Sequence, residues 1–323
     1  MRDGDAASFY TDGRLAGTSE NPAGAEELAH YALLSGPRAE NVCVFGFPWN
    51  GLLRELADAG CHVTVVDPAA HVTTNVARWL SPADRAVMTS RPVSIVADDP
   101  RRVARDIGRR FDVVVQDVGV PDAYSVARYY TREWFAQVRD ICADDGRCIV
   151  ILPGSAGYVP DDLARLYVRI RNAMRPHFSR VVIVPASSTL VIGSMRDLSL
   201  DPDEWVERWR TRTGRTRWFN EALLRDHLNI YRVQHFSTAC AQVDDVRVAR
   251  DRAPYAYADA LRYEEARYGG VMHGVITRLY AAPRRTALLL LACAAAWACV
   301  ILSGASARRD GIHAVTAMAA ISS

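Results

Sequence analysis

The chain has 323 residues, half of them hydrophobic, enough for one large domain or two small ones around a packed core. Its formal net charge of +2 at pH 7, with Arg outnumbering Lys but scattered, argues against a nucleic-acid binder. Its seven Cys form no CxxC pair and no Cys/His cluster of zinc-ligand spacing, which leaves no metal site and suits buried small hydrophobes in a reducing compartment.

The start, Met1 to Ser8, is polar and charged and carries no signal-peptide pattern. Phe9 to Ser19, with Asp-Gly between polar residues, predicts one hairpin at most. Glu26–Leu34 has helical character. From Asn41 onward apolar runs alternate with helical stretches. The predicted strands are Asn41–Phe45, His62–Val66, Pro92–Val96, Asp112–Val118, Arg147–Leu152, Arg180–Pro185 and Thr189–Gly193. The predicted helices are Leu52–Ala59, Val72–Leu80, Arg101–Ile107, Thr131–Cys142 and Asp161–Met174. The strands read as continuous apolar runs, so both faces of their sheet are expected to be covered. Repeated strand–helix units predict an α/β fold with a doubly wound, Rossmann-like sheet. The last two strands are too close for a crossover and predict an antiparallel hairpin. Leu198 to Tyr268 is more polar and helical, and reads as a C-terminal helical subdomain packed on the sheet.

Thr286–Ala307 is a run of about 22 residues without a charge, long enough to cross ~30 Å of hydrocarbon. It is apolar all round, unlike an amphipathic core helix, and has Arg284, Arg285, Arg308 and Arg309 at its ends. The expected organisation is an N-terminal segment (1–35), a nucleotide-binding core (36–197), a helical subdomain (198–283), one transmembrane helix (284–309) and a tail (310–323). The expected location is the inner or plasma membrane, with the preceding domain in the cytoplasm.

In doubly wound folds ligands sit at the carboxyl ends of the strands. The first core strand ends in Gly46-Phe47-Pro48-Trp49-Asn50-Gly51, where Gly46, Asn50 and Gly51 tolerate the backbone a tight turn needs. The bulk of Phe47, Pro48 and Trp49 favours an ordinary tight turn over a ligand loop. Asp67, after the second strand, reads either as a ribose acid or as a helix cap. Asp98 and Asp99, after the third, read either as adenine contacts or as caps. Asp117 ends the fourth strand, and reads either as a carboxylate that projects into the crevice and can accept a proton from an attacking amine, or as a capping or turn acid.

From Phe9 to Tyr268 the chain resembles the spermidine/spermine synthase (polyamine aminopropyltransferase) family, and looks closest to bacterial members fused to transporter-like membrane helices. The matching stretches are collinear. They are FYTDGRLAGTSENPAGAEELAHYALL with its Glu-x-x-x-His at Glu26 and His30, VCVFGFPWNGLLREL, FDVVVQDVGVP, YYTREWF, and VARDRAPYAY. The resemblance implies an S-adenosylmethionine-methyltransferase-like fold and transfer of an aminopropyl group from decarboxylated S-adenosylmethionine to a polyamine such as putrescine, without a metal. It implies Asp117 as catalytic base. For the donor it implies Gly46, Asn50, Gly51, Asp67 and Asp99; for the amine, Glu26, His30 and Tyr130.

The chain departs from the family pattern as well. Phe47, Pro48 and Asn50 replace glycines of the loop, and Trp49 stands where typical members carry an acid. The family's ribose-binding Glu falls on Val65, and the second acid of its catalytic strand on Val120. Each lost charge-assisted contact is worth about 1.5–3 kcal/mol in a buried site. The expectation is therefore a spermidine synthase-like domain with a degenerate active site, Phe47 and Trp49 filling part of the nucleoside volume. The alternatives are a non-catalytic nucleotide-binding or regulatory domain and an S-adenosylmethionine-dependent methyltransferase. The expected partners are a polyamine and the membrane, with a homodimer or a membrane partner chain also open and no nucleic acid.

Overall fold

The computed structural model describes residues 2–3, 6–11, 14–19, 21–37, 39–68, 76–154, 158–212, 216–243 and 246–267. The strands among them, in chain order, are β1 (Arg2–Asp3), β2 (Ala6–Thr11), β3 (Arg14–Thr18), β4 (Asn41–Gly46), β5 (His62–Val66), β6 (Val93–Val96), β7 (Phe111–Asp117), β8 (Cys142–Leu152), β9 (Arg180–Pro185) and β10 (Thr189–Ser194). β1–β3 make a small antiparallel sheet, one strand more than the hairpin expected. β4–β10 make a seven-stranded sheet of order β6-β5-β4-β7-β8-β10-β9. Its first five positions are parallel. β10 runs antiparallel to both β8 and β9, because residues 186–188 are too few for a crossover.

The central strands are apolar on both of their faces, as in the Val113–Val115 run of β7, because both faces are covered. Successive side chains of β4 point to opposite faces. Cys43 and Phe45 join one core, with the helices Pro100–Asp106, Arg132–Ile141, Asp161–Met174 and Ile230–Ala241. Val42 and Val44 join the other, with Pro22–Leu34, Leu52–Asp58, Pro202–Arg212 and Glu221–His227. Residues 1–264 form one compact unit, to which the helices Pro202–Arg212, Glu221–His227 and Ile230–Ala241 belong. Cys43, Cys61, Cys142, Cys148 and Cys240 are free and buried.

The helix Pro82–Met88 has a start signal in the sequence that the apolar pattern hid. Ser81 caps it, accepting the Asp84 N–H (3.1 Å) and donating to the Asp84 carboxylate (2.6 Å), and Pro82 follows the cap. Residues 72–75 of the expected helix 72–80 lie outside the described residues.

The expected transmembrane helix is corrected. Among the described residues no helix is long and apolar enough to cross a membrane. The longest, Asp161–Met174, has 14 residues, about 21 Å at 1.5 Å per residue against ~30 Å of hydrocarbon. It is also amphipathic, with Asp161, Asp162, Arg165 and Arg171 off its buried stripe. The segment 286–307 lies outside the described residues, and the membrane location and membrane partners inferred from it are withdrawn.

The strand order reverses between β4 and β7, which makes their carboxyl ends the topological switch point. Gly46 pairs with Asp117 across that point. Its φ is +113°, and a Cβ on it would lie 1.9 Å from the Asp117 carbonyl oxygen. Phe47 N–H then donates to that same carbonyl (3.1 Å). Gly60 also has positive φ (+84°), but nothing lies within 4 Å of its Cβ position. Gly60→Ala is therefore expected to cost about 1–2 kcal/mol of backbone strain, a few degrees in melting temperature. Gly46→Ala adds a backbone clash to that strain and is expected to lower the melting temperature at least about twice as far. Equal shifts in thermal denaturation would show that the Gly46–Asp117 approach is not a constraint.

Candidate active site

A cavity of about 350 Å³ opens at the switch point. Asn21 and Glu27 line it from the start of the helix Pro22–Leu34, Asn50 from the loop after β4, Asp117 from the end of β7, and Ser187 and Ser188 from the β9–β10 turn. Leu28, Ile151 and Leu190 supply apolar wall. No cationic side chain is among the described residues that line it.

Each polar wall residue is held by its local fold. Asn21 caps its helix, accepting the Gly24 N–H (3.1 Å), and Pro22 follows at the first helical position. Asn50 Oδ1 accepts the Leu52 N–H (3.2 Å). Gly51, with φ +106°, opens the helix Leu52–Asp58, and a Cβ there would meet the Ala25 side chain at 3.3 Å. Glu27 is buried, and its carboxylate accepts the Ser187 N–H (3.0 Å) and the Ser187 hydroxyl (2.7 Å). Burial pushes the Glu27 carboxyl up, while the Ser187 bonds and Arg232 pull it back.

Asp117 differs from every other acid near the strand ends. Its side chain is half-buried, and its carboxyl has no hydrogen-bond or ion-pair partner among the described residues. Burial alone pushes its pKa from 3.8 up to about 7. Loss of water disfavours the charged form, and none of the described residues offsets that loss. A carboxyl that titrates near neutrality and points into a cleft is suited to taking a proton.

The other residues singled out from the sequence fall into two groups. Asp67 and Asp99 follow β5 and β6, level with the Gly46 loop because β4, β5 and β6 are in register. Asp67 N–H bonds to the Val96 carbonyl (3.1 Å). Asp99 caps the helix Pro100–Asp106 through the Arg101 N–H (2.9 Å), and also accepts from Arg128 (3.2 Å) and the Tyr129 hydroxyl (3.2 Å). Tyr130 is fully buried and its hydroxyl donates to the Gly119 carbonyl, tying down the loop that follows Asp117.

Glu26 and His30 lie away from the cavity wall. Glu26 Oε1 accepts three backbone N–H groups, from Arg217, Trp218 and Phe219 (2.9, 2.9 and 2.8 Å). The His30 ring stacks on Phe219 at 5.0 Å, and burial lowers its pKa. Adjacent residues on a helix project about 100° apart, so Glu27 reaches the cavity where Glu26 does not. Nothing in a Glu-Glu pair tells which of the two faces the ligand; the 217–219 amides that capture Glu26 and the Ser187 that holds Glu27 do.

The bulky loop residues do not line the cavity either. Trp49 is 2% exposed and packs in the core with Leu52 and Leu53, and Phe47 packs on Phe9 of β2 with ring centroids 5.2 Å apart. Val65 is buried in the same core, so Asp67 is the acid that β5 presents. No group of three or more potential metal ligands occurs among the described residues.

No protein-family model matches the chain. A polyamine aminopropyltransferase of Pyrobaculum calidifontis is 26% identical over 209 residues, which cover 60% of this chain and 71% of that protein. Polyamine aminopropyltransferase 2 of Hyperthermus butylicus is 28% identical over 159 residues, covering 48% of this chain and 50% of that one. The chain thus spans about half the length of the second relative. A solved spermidine synthase in complex with the transition-state analogue AdoDATO shares the fold, with a TM-score of 0.58 at 17% identity, over 73% of this chain and 81% of that one. With its collinear motifs carried on this sheet, the chain is similar in sequence to polyamine aminopropyltransferases and shares the fold of a solved spermidine synthase.

Proposed function

We propose that the chain transfers an aminopropyl group from decarboxylated S-adenosylmethionine to an amine, with Asp117 as the proton acceptor. The observation that carries this reading is the Asp117 carboxyl, pushed up to about 7 and without a partner among the described residues, in a cavity where no described wall residue is a cation. In the step, the amine lone pair attacks the propyl carbon next to sulfur. The C–S bond breaks toward sulfur, neutralising the sulfonium and releasing methylthioadenosine. The new C–N bond leaves a proton on nitrogen that Asp117 removes.

The donor's adenosine is assigned to the ends of β4–β6, with Gly46, Asn50 and Gly51 shaping the loop, Asp67 near the ribose and Asp99 near the adenine. An ionised carboxylate has about four acceptor positions. Asp99 uses three of them, which leaves one for an adenine amino group. Tyr130 acts by holding the 118–122 loop. Glu26 and His30 support the segment 217–219.

The charge of the cavity separates this reading from a methyltransferase. S-adenosylmethionine carries a carboxylate that wants a cationic partner, and the wall offers Asp117 and Glu27 instead. A decarboxylated donor and an amine are both cationic and suit it. Calorimetric titration is expected to show tighter binding of decarboxylated S-adenosylmethionine than of S-adenosylmethionine; the reverse order would favour the methyltransferase.

Transfer to putrescine, read by mass spectrometry, is expected to fall about 100-fold or more in Asp117→Asn, the range of a lost general base. Activity is expected to fall as pH drops through about 7, where this carboxyl takes up its proton. Full activity in Asp117→Asn, or binding of the donor with no transfer by the wild type, would leave a non-catalytic binding domain as the better reading.

The same raised pKa has a stability consequence. The folded state binds the Asp117 proton more tightly than the unfolded chain, so this contribution is complete below about pH 4 and is lost as pH rises through about 7. Asp117→Asn removes that loss. Its melting temperature at pH 8 is expected to equal or exceed that of the wild type, and a large drop there would assign Asp117 a structural role.

A further inference from the structure

The loop between β4 and the helix Leu52–Asp58 has a glycine of positive φ at each end, Gly46 (+113°) and Gly51 (+106°). Glycine sets little backbone preference of its own, so the shape of such a loop is fixed by what its side chains touch. Trp49 anchors one point in the core beneath. Phe47 is half-buried, and its ring is held from outside the seven-stranded sheet. It lies 5.2 Å from the ring of Phe9 at 47°, and 6.5 Å from that of Trp49 at 88°.

Phe9 belongs to the small sheet β1–β3, which shares no hydrogen-bonded ladder with the seven-stranded sheet. Side chains therefore join the two. A register shift between Phe9 and Tyr10 interrupts the β2–β3 pairing at this point, and a bulge of this kind re-aims the side chain beside it. Phe9 packs against the second core, while Tyr10 is 54% exposed. Phe9 is not among the residues that line the cavity. What it fixes is Phe47, whose N–H holds the Asp117 carbonyl (3.1 Å), and with it the loop that brings Asn50 to the cavity wall. A loop of glycines has no side chain to grip; Phe47 gives this one an external handle.

We infer that Phe9 is a positioning residue for the donor: its ring on Phe47 fixes the 46–51 loop in the shape that accepts the nucleoside, which makes the small sheet a working part of the donor site. This rests on the reading above that the donor's adenosine lies on this loop.

The test combines equilibrium binding with a measurement that needs no ligand. Aromatic pairs at this separation contribute about two- to tenfold to an equilibrium constant. Calorimetric titration of methylthioadenosine into the full chain is expected to show binding weaker by about that factor in Phe9→Ala. Phe9→Tyr keeps the ring and is expected to keep the wild-type affinity. Phe9→Leu preserves apolar bulk should Phe9→Ala not fold, and is expected to weaken binding in the same direction. In a Phe47→Ala background, Phe9→Ala is expected to cost no further affinity, because two residues that act through one contact are not additive. A role in general stability alone would subtract equally in both backgrounds. Without ligand, hydrogen exchange of the 46–51 amides is expected to be faster in Phe9→Ala than in the wild type. Unchanged methylthioadenosine affinity in Phe9→Ala and Phe9→Leu, an equal loss in both backgrounds, or unchanged exchange overturns the inference. A wild type that binds no methylthioadenosine, with exchange at 46–51 still faster in Phe9→Ala, overturns the donor assignment and leaves Phe9 as the clamp on this loop.

Discussion

At the switch point Gly46 packs so closely on the carbonyl of Asp117 that no Cβ would fit between them, and the site depends on this contact. The two strands that diverge in sheet order meet there, and only a residue without a Cβ, at positive φ, lets them do so. The Asp117 main chain is clamped by this contact and by the Phe47 N–H. On the far side, Tyr130 holds the Gly119 carbonyl. The Tyr130 segment is itself locked by Gln116, whose amide donates to the Tyr129 carbonyl (2.9 Å) and accepts from the Trp134 indole (2.7 Å). A backbone fixed this firmly leaves the Asp117 side chain little choice but the cavity.

Contrast with the other acids gives Asp117 its meaning. Asp112, on the same strand, accepts the Glu40 and Asn41 N–H groups (both 2.9 Å). Asp251 is paired with Arg101 and Thr131, which hold its carboxyl below the usual range. Asp259 is fully buried but lies between Arg169 and Arg262. These groups are satisfied and account for architecture. Asp117 is desolvated and unpaired, an arrangement that costs stability at neutral pH and is retained where chemistry uses it.

Much of the sheet was legible because continuous apolar runs such as His62–Val66 and Arg180–Pro185 are what a doubly covered sheet requires. The Gly46–Gly51 loop and Asp117 were legible for a related reason: strand ends in this fold face the crevice. Local periodicity could not show where the FPW side chains go. Their bulk suggested an obstructed nucleoside site, whereas Trp49 turns into the core and Phe47 onto Phe9. Nor could it distinguish Glu26 from Glu27. That choice is made by residues nearly 200 positions away, the 217–219 amides that capture Glu26, and by the β9–β10 turn that presents Ser187 to Glu27. Long-range contacts of this kind have no signature in a single sequence. The apolar run 286–307 has a plain signature, but lies outside the described residues, and the described helices are too short or too polar to stand in for it.

The central claim is that desolvation without compensation sets Asp117 to titrate near neutrality. Its most direct test is a carbon NMR titration of protein carrying 13C-carboxyl-labelled aspartate, with the Asp117 signal assigned by its absence in Asp117→Asn. The account predicts a midpoint at about 7. A midpoint near 4, the ordinary value for an aspartate in water, would contradict it.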